Sequence, residues 1–491
     1  MNISMRTNMT PSLTTNMNCW KLLPLCFVLF CSFQLSAQEK WSLEECLQYA
    51  RENNISLQQS RLNIAGSEID LDQSRSNRLP SVNGSASHVY NFGRSNDPTT
   101  NEFIEQRIQT NNFGVQGNMD LFRGFNLKHS IERDRYSLES SQLQHRVAEN
   151  DLALVIVGAY LNILRSRDQI EVLKEQVSIT NEQKVRVEKL IAAGTLPRGD
   201  ILDLEAQVAN NEVSIVQAEN ALELAKLSLA QTLDFFDELD IDDPTIDVPS
   251  TTLIEQMSVQ EIYQNALQTM PEIQSAELSQ KVAEKNLEIS RSFRLPTLSL
   301  FGGMGSNFAG VGIPSAFELG EFQETPLGFL NGDFGSPVLR PDVIITETAV
   351  TPFFDQLGNN FNYNAGLALS VPIFNKHQVK NGIRRAELGR ESAQLQRKQA
   401  ENNLFQDIQQ AYQDARAAAK IYESNLKTIE ASEMAFNNAK KRYELGAATA
   451  LEFSTARNNL AIAQLNVNSA RYNYIFMLKI LDFYQGKELK L

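Results

Sequence analysis

Cysteine is nearly absent: four occur in 491 residues, and Cys19, Cys26 and Cys31 crowd near the N-terminus. Only Cys46 remains beyond that region, so no intrachain disulfide is expected and stability must come from packing and assembly. Histidine is equally scarce. His88, His129, His145 and His377 are scattered; His145 has only Glu149 at helical spacing, and none belongs to a metal set. No nucleophile elbow, P-loop or zinc motif occurs. Cys46 falls on an early amphipathic helix, where burial is the expected role. Catalytic, cofactor-binding and metal-binding residues are therefore all expected to be absent, and the chain reads as no enzyme. Basic charge is also short, at 45 Lys and Arg against 59 Asp and Glu. The formal charge of −14 excludes nucleic acid as a partner, since that needs a basic footprint.

Long apolar runs are missing too. Leu22–Phe33 is too short to span a membrane but suits the core of an export signal, with Lys21 before it and small residues up to Ala37 after it. Residues 1–37 are expected to be a signal peptide cleaved near Ala37–Gln38, with no convincing lipid-anchor motif. The segment holds Arg6, Lys21 and no acid, so its removal takes the charge from −14 to −16. Leu152–Leu164 is the most apolar later run; its 13 residues suit buried packing better than a membrane helix.

What is present is self-similarity. Residues 42–80 match residues 258–296 without gaps at 14 of 39 positions. The clearest block is Ser74-Arg75-Ser76-Asn77-Arg78-Leu79-Pro80 against Ser290-Arg291-Ser292-Phe293-Arg294-Leu295-Pro296. A second offset, of 252, pairs Leu121-Phe122 with Ile373-Phe374, Ala159-Tyr160 with Ala411-Tyr412, and Gly194 with Gly446. Two repeats are expected, 38–236 and 253–491, joined by an acidic, proline-containing linker at 237–252.

Each half carries the same order of elements. In the first, a short helix (Leu43–Arg51) precedes a longer one (Ser56–Arg78), which Pro80 ends. Two strands follow, then a helix of 67 residues, at 127–193 in the first half and 379–445 in the second. Neither span contains proline. At ~1.5 Å per residue each would be about 100 Å long, which no globular core can use. Val172, Leu173, Val177, Ile179, Val185, Val187 and Leu190 mark a loose apolar stripe of coiled-coil type. A last helix closes each half, near Asp200–Phe235 and Thr449–Phe483.

Four segments alternate apolar and polar residues. Phe113, Val115, Gly117, Met119 and Leu121 share one face, as do Phe361, Tyr363, Ala365, Leu367, Leu369 and Val371. Val82, Ala86, Tyr90 and Phe92 form a weaker face; Leu298, Leu300 and Met304 begin the fourth, which Phe301 and three glycines blur. Runs of about 10 residues with aromatic ends suit tilted membrane-spanning strands. Four strands cannot close a barrel, and an open edge in lipid leaves backbone groups unpaired, so spanning requires oligomerisation. The loops at 93–110 and 306–360 would then face outward, the second as a packed plug or surface contact.

In this order of elements the chain resembles the TolC-like outer-membrane efflux family. The resemblance rests on the Arg-Leu-Pro entries, the Leu121-Phe122 and Pro372-Ile373-Phe374 strand exits, Ala159-Tyr160, the turns at Gly194 and Gly446, and the ending Leu481-Asp482-Phe483-Tyr484-Gln485-Gly486. It implies a mostly α fold with a small β part. A homotrimer would form a 12-strand β-barrel in outer-membrane lipid, continuous with an α-helical barrel in the periplasm. It implies docking to a periplasmic adaptor and an inner-membrane pump, in efflux or type I secretion. Acidity suits solubility, and in a pore would favour cations.

The resemblance also implies a periplasmic gate near the two helix turns. Counted from the turn glycines, Asp200 matches the family's interhelix acid, Tyr443 its tyrosine partner and Glu452 its first constricting carboxylate; Asp203 lies one turn beyond Asp200. Thr455 stands where a second carboxylate would be, and Ala448 where an arginine would strengthen the closed link. Read from the residues alone, Asp200 and Asp203 are a helix cap and a first-turn acid, and Thr449-Ala450-Leu451-Glu452 is a capping box. Two rival readings of the whole chain are a periplasmic coiled-coil adaptor and a structural envelope protein.

Overall fold

The computed structural model describes residues 40–96, 103–105, 107–322, 326–339, 341–487 and 489–490. The expected signal segment, 1–37, lies outside them. The chain is mostly helical with a smaller β part. It runs α1 (Leu43–Asn53), α2 (Ile55–Ser76), β1 (Ser81–Asn91), β2 (Arg94–Asn96), β3 (Phe103–Glu105), β4 (Ile108–Arg123), α3 (Asn126–Ala192) and α4 (Gly199–Leu233). After a 3-10 turn at Thr251–Gln256 come α5 (Val259–Thr269), α6 (Pro271–Ser292), β5 (Thr297–Ala309), β6 (Ile313–Phe322), β7 (Gly328–Phe329), β8 (Pro337–Val338), β9 (Pro341–Ala349), α7 (Phe353–Asn359), β10 (Asn362–Ser370), α8 (Gln378–Glu444) and α9 (Ala450–Tyr484).

Helix lengths come in equal pairs. α1 and α5 have 11 residues, α2 and α6 have 22, α3 and α8 have 67, and α4 and α9 have 35. The long helices begin and end one residue earlier than the sequence suggested. α2 stops at Ser76 because Arg78 and Leu79 fold back onto the carbonyls of Arg75 and Ser76. α4 stops at Leu233 because Asp234 turns left-handed (φ +58°), and its carboxylate accepts the Ile55 N–H at 2.9 Å.

Two large cores, and a small one of Phe436, Phe453 and Leu460, hold the helices together. In one, Leu43, Cys46 and Ala50 of α1 pack with Ile156, Tyr160 and Leu164 of α3 and Leu229 and Leu233 of α4. In the other, Ile262 and Ala266 of α5 pack with Ile408 and Ala415 of α8 and Leu478 and Leu481 of α9. The apolar run Leu152–Leu164 thus supplies core, as its length suggested. Cys46 occupies the place that Ile262 takes in the second core. Burial pushes its thiol up to about 12, so it stays protonated and unreactive at neutral pH. The joining segment at 237–252 is packed as well. Leu239, Ile241 and Ile246 are buried, and Trp41 pairs with the segment through Asp240 and Asp242.

The main sheet has the order β1-β4-β5-β10, all antiparallel. Two hairpins, β1–β4 and β5–β10, meet along β4 and β5, which leaves β1 and β10 as free edges. Residues directly opposite one another share a face. The register therefore puts Val82, Phe113, Val115, Met119, Leu298, Leu300, Met304, Tyr363, Leu367 and Leu369 on one face. The other face carries Asn83, Ser85, Asn112, Gln116, Asn118, Ser299, Asn362 and Asn364. Phe301 belongs to this polar face, which is why β5 looked blurred in sequence. The loop at 306–360 holds two further hairpins, β6–β9 and β7–β8, and α7.

Candidate functional site

Both long helices end in the same way. Gly194 and Gly446 each have φ +74°, a conformation that costs glycine nothing. The Gly194 N–H donates to the Ile191 carbonyl at 2.9 Å and the Thr195 N–H to that of Leu190 at 3.0 Å. At the second turn the Gly446 N–H donates to the Tyr443 carbonyl at 3.1 Å and the Ala447 N–H to that of Arg442 at 2.8 Å. Each chain reversal folds the following 35-residue helix back along its 67-residue partner.

Asp203 and Tyr443 come together at these tips. They line one cleft with Gln183, Gln207, Ala448 and Ser454. Tyr443 is held from two sides. Its ring stacks on Phe453 of α9 at 5.2 Å, and the Arg186 guanidinium of α3 lies over it at 5.7 Å. Arg186 also donates to the Glu444 carbonyl at 3.2 Å and stands 3.8 Å from the Glu444 carboxylate, at the negative end of α8. Asp200 falls in the first turn of α4.

Glu452 points elsewhere. It lines a separate groove between α8 and α9 with Lys427, Ser432 and Thr455. Its carboxylate accepts the Thr449 N–H at 3.1 Å, and the Thr449 hydroxyl accepts the Glu452 N–H at 3.2 Å. That is a complete capping box, with Arg442 4.0 Å from the carboxylate. Within one subunit, then, the four residues do not form one cluster. Sequence reasoning missed Arg186 and Phe453, which reach Tyr443 only through the packing of α3, α8 and α9.

Between tips and core lies a buried polar layer that the sequence did not announce. Arg457 of α9 is 2% exposed, and its Nη1 donates to Thr180 Oγ1 at 2.9 Å. The same hydroxyl accepts from Asn211 of α4 at 3.2 Å. Burial holds the guanidinium below its ordinary pKa, and among the described residues no carboxylate pairs with it.

The comparisons follow this geometry. The family model for outer membrane efflux proteins matches residues 46–233 and 355–483. The outer membrane protein TolC of Vibrio cholerae is 21% identical over 469 residues, covering 95% of each chain. The probable outer membrane lipoprotein SilC of Salmonella typhimurium is 21% identical over 432 residues, 86% of this chain and 81% of that protein. Among solved structures, the outer membrane protein VceC of Vibrio cholerae superposes with a TM-score of 0.69 at 16% identity, covering 91% of this chain and 97% of VceC. These likenesses disfavour the adaptor and structural-envelope readings. The chain belongs to the outer membrane efflux protein family, and it is an outer-membrane channel protein.

Proposed function

We propose that three copies of this chain close a 12-strand barrel in the outer membrane, continuous with a helical tunnel in the periplasm. The observation that carries this reading is a four-stranded sheet with one apolar, exposed face and two unpaired edges, β1 and β10. In lipid each unpaired backbone group costs several kcal/mol, so β10 of one copy pairs with β1 of the next. Single-chain barrels begin at about eight strands, twice what one copy offers. Three copies follow from the family resemblance. Each half then supplies two strands and a long helical hairpin as one repeat.

The polar face lines the lumen. In its paired rows it offers mostly amides, hydroxyls and glycines, with the Phe301 ring among them and Asp120 beside Arg123 at 3.6 Å. Such a surface hydrates a passing solute without gripping it, as a passive duct requires, and it performs no chemistry. The energy comes from an inner-membrane pump, which the tunnel meets through a periplasmic adaptor.

The periplasmic end closes at the helix turns. Tyr443, clamped between Arg186 and Phe453, and Asp203 beside it tie the two hairpins of one subunit. Asp200 belongs to the same tip. Glu452, on the other side of the α8–α9 hairpin, is exposed within one subunit. Around a threefold axis its copies would constrict the opening and favour cations. Thr455 and Ala448 make this closure less acidic and less latched than two carboxylates and an arginine would.

Single-channel conductance in planar bilayers tests the reading, with wild type compared to Glu452→Ala. Small cation-selective openings that enlarge or lose selectivity in the variant support both duct and gate. Conductance that the variant leaves unchanged returns Glu452 to its capping role. A folded oligomer that conducts nothing overturns the channel.

A further inference from the structure

β5 outruns its neighbour. Its residues 306–309 stay paired with β4, from Phe113 to Thr110, but β10 begins only at Asn362, opposite Gly305. The outer end of β5 therefore has a backbone edge with no strand beside it. α7 fills that edge with side chains. Gln356 accepts the Ala309 N–H at 2.9 Å and donates to the Ala309 carbonyl at 3.0 Å. Its amide also donates to the Thr351 carbonyl at 2.9 Å. Asn360 donates to the Asn307 carbonyl at 2.8 Å, and the Ser306 hydroxyl to the Leu357 carbonyl at 2.7 Å. A primary amide carries both donors and an acceptor, as a strand backbone does. Gln356, 8% exposed, thus replaces a missing strand residue.

The same helix extends one face of the sheet. Phe113 and Phe308 share the apolar face with Met304 and Tyr363, in the rows beyond them. Phe353 packs against both rings, at 6.2 Å and 5.1 Å. Phe354 follows at 5.3 Å from Phe353 and is 83% exposed; Phe361 and Tyr363 nearby are 55% and 81% exposed. Up β10 the apolar residues change from Leu369, Leu367 and Ala365 to Tyr363, with Phe361 beyond. That path is about 27 Å along the strand at ~3.4 Å per residue, or roughly 20 Å of height when tilted as barrel strands are. It approaches the ~25 Å apolar band of an outer-membrane barrel, with the aromatic rings at its outer limit.

We infer that α7 is an interfacial anchor: it seals the edge of β5 and lays Phe354, with Phe361 and Tyr363, into the headgroup level of the outer leaflet. This rests on the reading of the apolar sheet face as the lipid face. Lipid is the occupant because the rings continue that face, not the polar one, and stand where aliphatic side chains give way to aromatic ones.

The test uses the protein from Gln38 onward with Trp41 replaced by Phe, reconstituted in phosphatidylcholine vesicles. The lipid chains carry bromine either near the headgroup or near the chain end. Phe354→Trp is expected to lose most of its fluorescence to shallow bromine and little to deep bromine. Leu367→Trp, in mid-strand on the same face, is expected to be quenched best by deep bromine. Adding Gln356→Ala should weaken quenching of the Phe354→Trp reporter and leave the Leu367→Trp reporter unchanged. Quenching at 367 with none at 354 overturns the anchor and leaves the lipid-facing sheet intact; Phe354 is then covered by protein or faces water. No quenching at either position overturns the sheet reading and the anchor together.

Discussion

The Phe301 ring covers Gly366 across the β5–β10 pair, so closely that a Cβ on Gly366 would stand 2.7 Å from Phe301 Cζ. The aromatic ring fills the space that the glycine leaves on the polar face. Gly366→Ala should push the ring aside and cost about 1–3 kcal/mol. Phe301→Ala should relieve that clash, so the double variant should lose less than the two single losses combined. Thermal dissociation of detergent-solubilised oligomers, followed on gels, would check this. Strictly additive losses would mean that the two residues do not share the space.

Arg457 offers a different trial. A buried cation without a buried anion is costly, and a well-packed apolar side chain often replaces one at no loss. Arg457→Met should leave the melting temperature unchanged or raise it. Arg457→Ala should lower stability by roughly 2–4 kcal/mol through the cavity it opens. Circular dichroism melts in detergent would decide. A large loss in the Met variant would mean that the guanidinium makes a contact only the assembly completes.

Three carboxyls of the helical part should bind a proton more tightly once the chain folds. Burial raises the Glu272 carboxyl above its ordinary value of 4.5, and Asp151 and Asp407 add like charge; burial likewise raises Asp151 and Asp168. A raised carboxyl binds its proton more tightly in the folded chain than in the unfolded one. Stability therefore falls as pH rises from the ordinary carboxylate range through the raised values. Glu272→Gln should raise the melting temperature at neutral pH and flatten its pH dependence above the ordinary carboxylate range. A steeper dependence in the variant would contradict this.

The turn glycines can be tested by strain alone. At φ +74° an alanine is disfavoured, although nothing within 4 Å would touch its Cβ at either site. Gly194→Ala and Gly446→Ala should each cost about 1–2 kcal/mol, and Asn at the same sites less. Hydrogen exchange at the helix tips should rise locally while the two large cores stay protected.

Much of this was legible because the chain states it twice. The long helices showed in the missing prolines and in Gly194 and Gly446, and three strands in their alternation. β5 was harder, since Phe301 breaks the alternation in order to cover a glycine on another strand. In the loop at 306–360, β9 was overlooked although Val343, Ile344, Ile345 and Thr346 form a β-branched run; the surrounding glycines and prolines read as irregular chain. Arg457 looked like any surface charge on a helix, because its burial is decided by α3 and α4, far away in sequence. Tyr443 was singled out as the partner of an acid, whereas the Arg186 guanidinium and the Phe453 ring that hold it were not foreseen. Local pattern reveals periodicity and turns; it does not reveal which helix stands opposite.

The equal lengths of α3 and α8 have a consequence for how such a chain changes over time. Both reach the same depth only while both keep 67 residues. Deleting two turns from one would leave its partner overhanging and part Arg186 from Tyr443. A cell envelope with a wider or narrower gap therefore calls for matched insertions or deletions in both helices, and in the returning α4 and α9. Single indels there should be purged, while the loop at 306–360, bound by no such ruler, is free to drift.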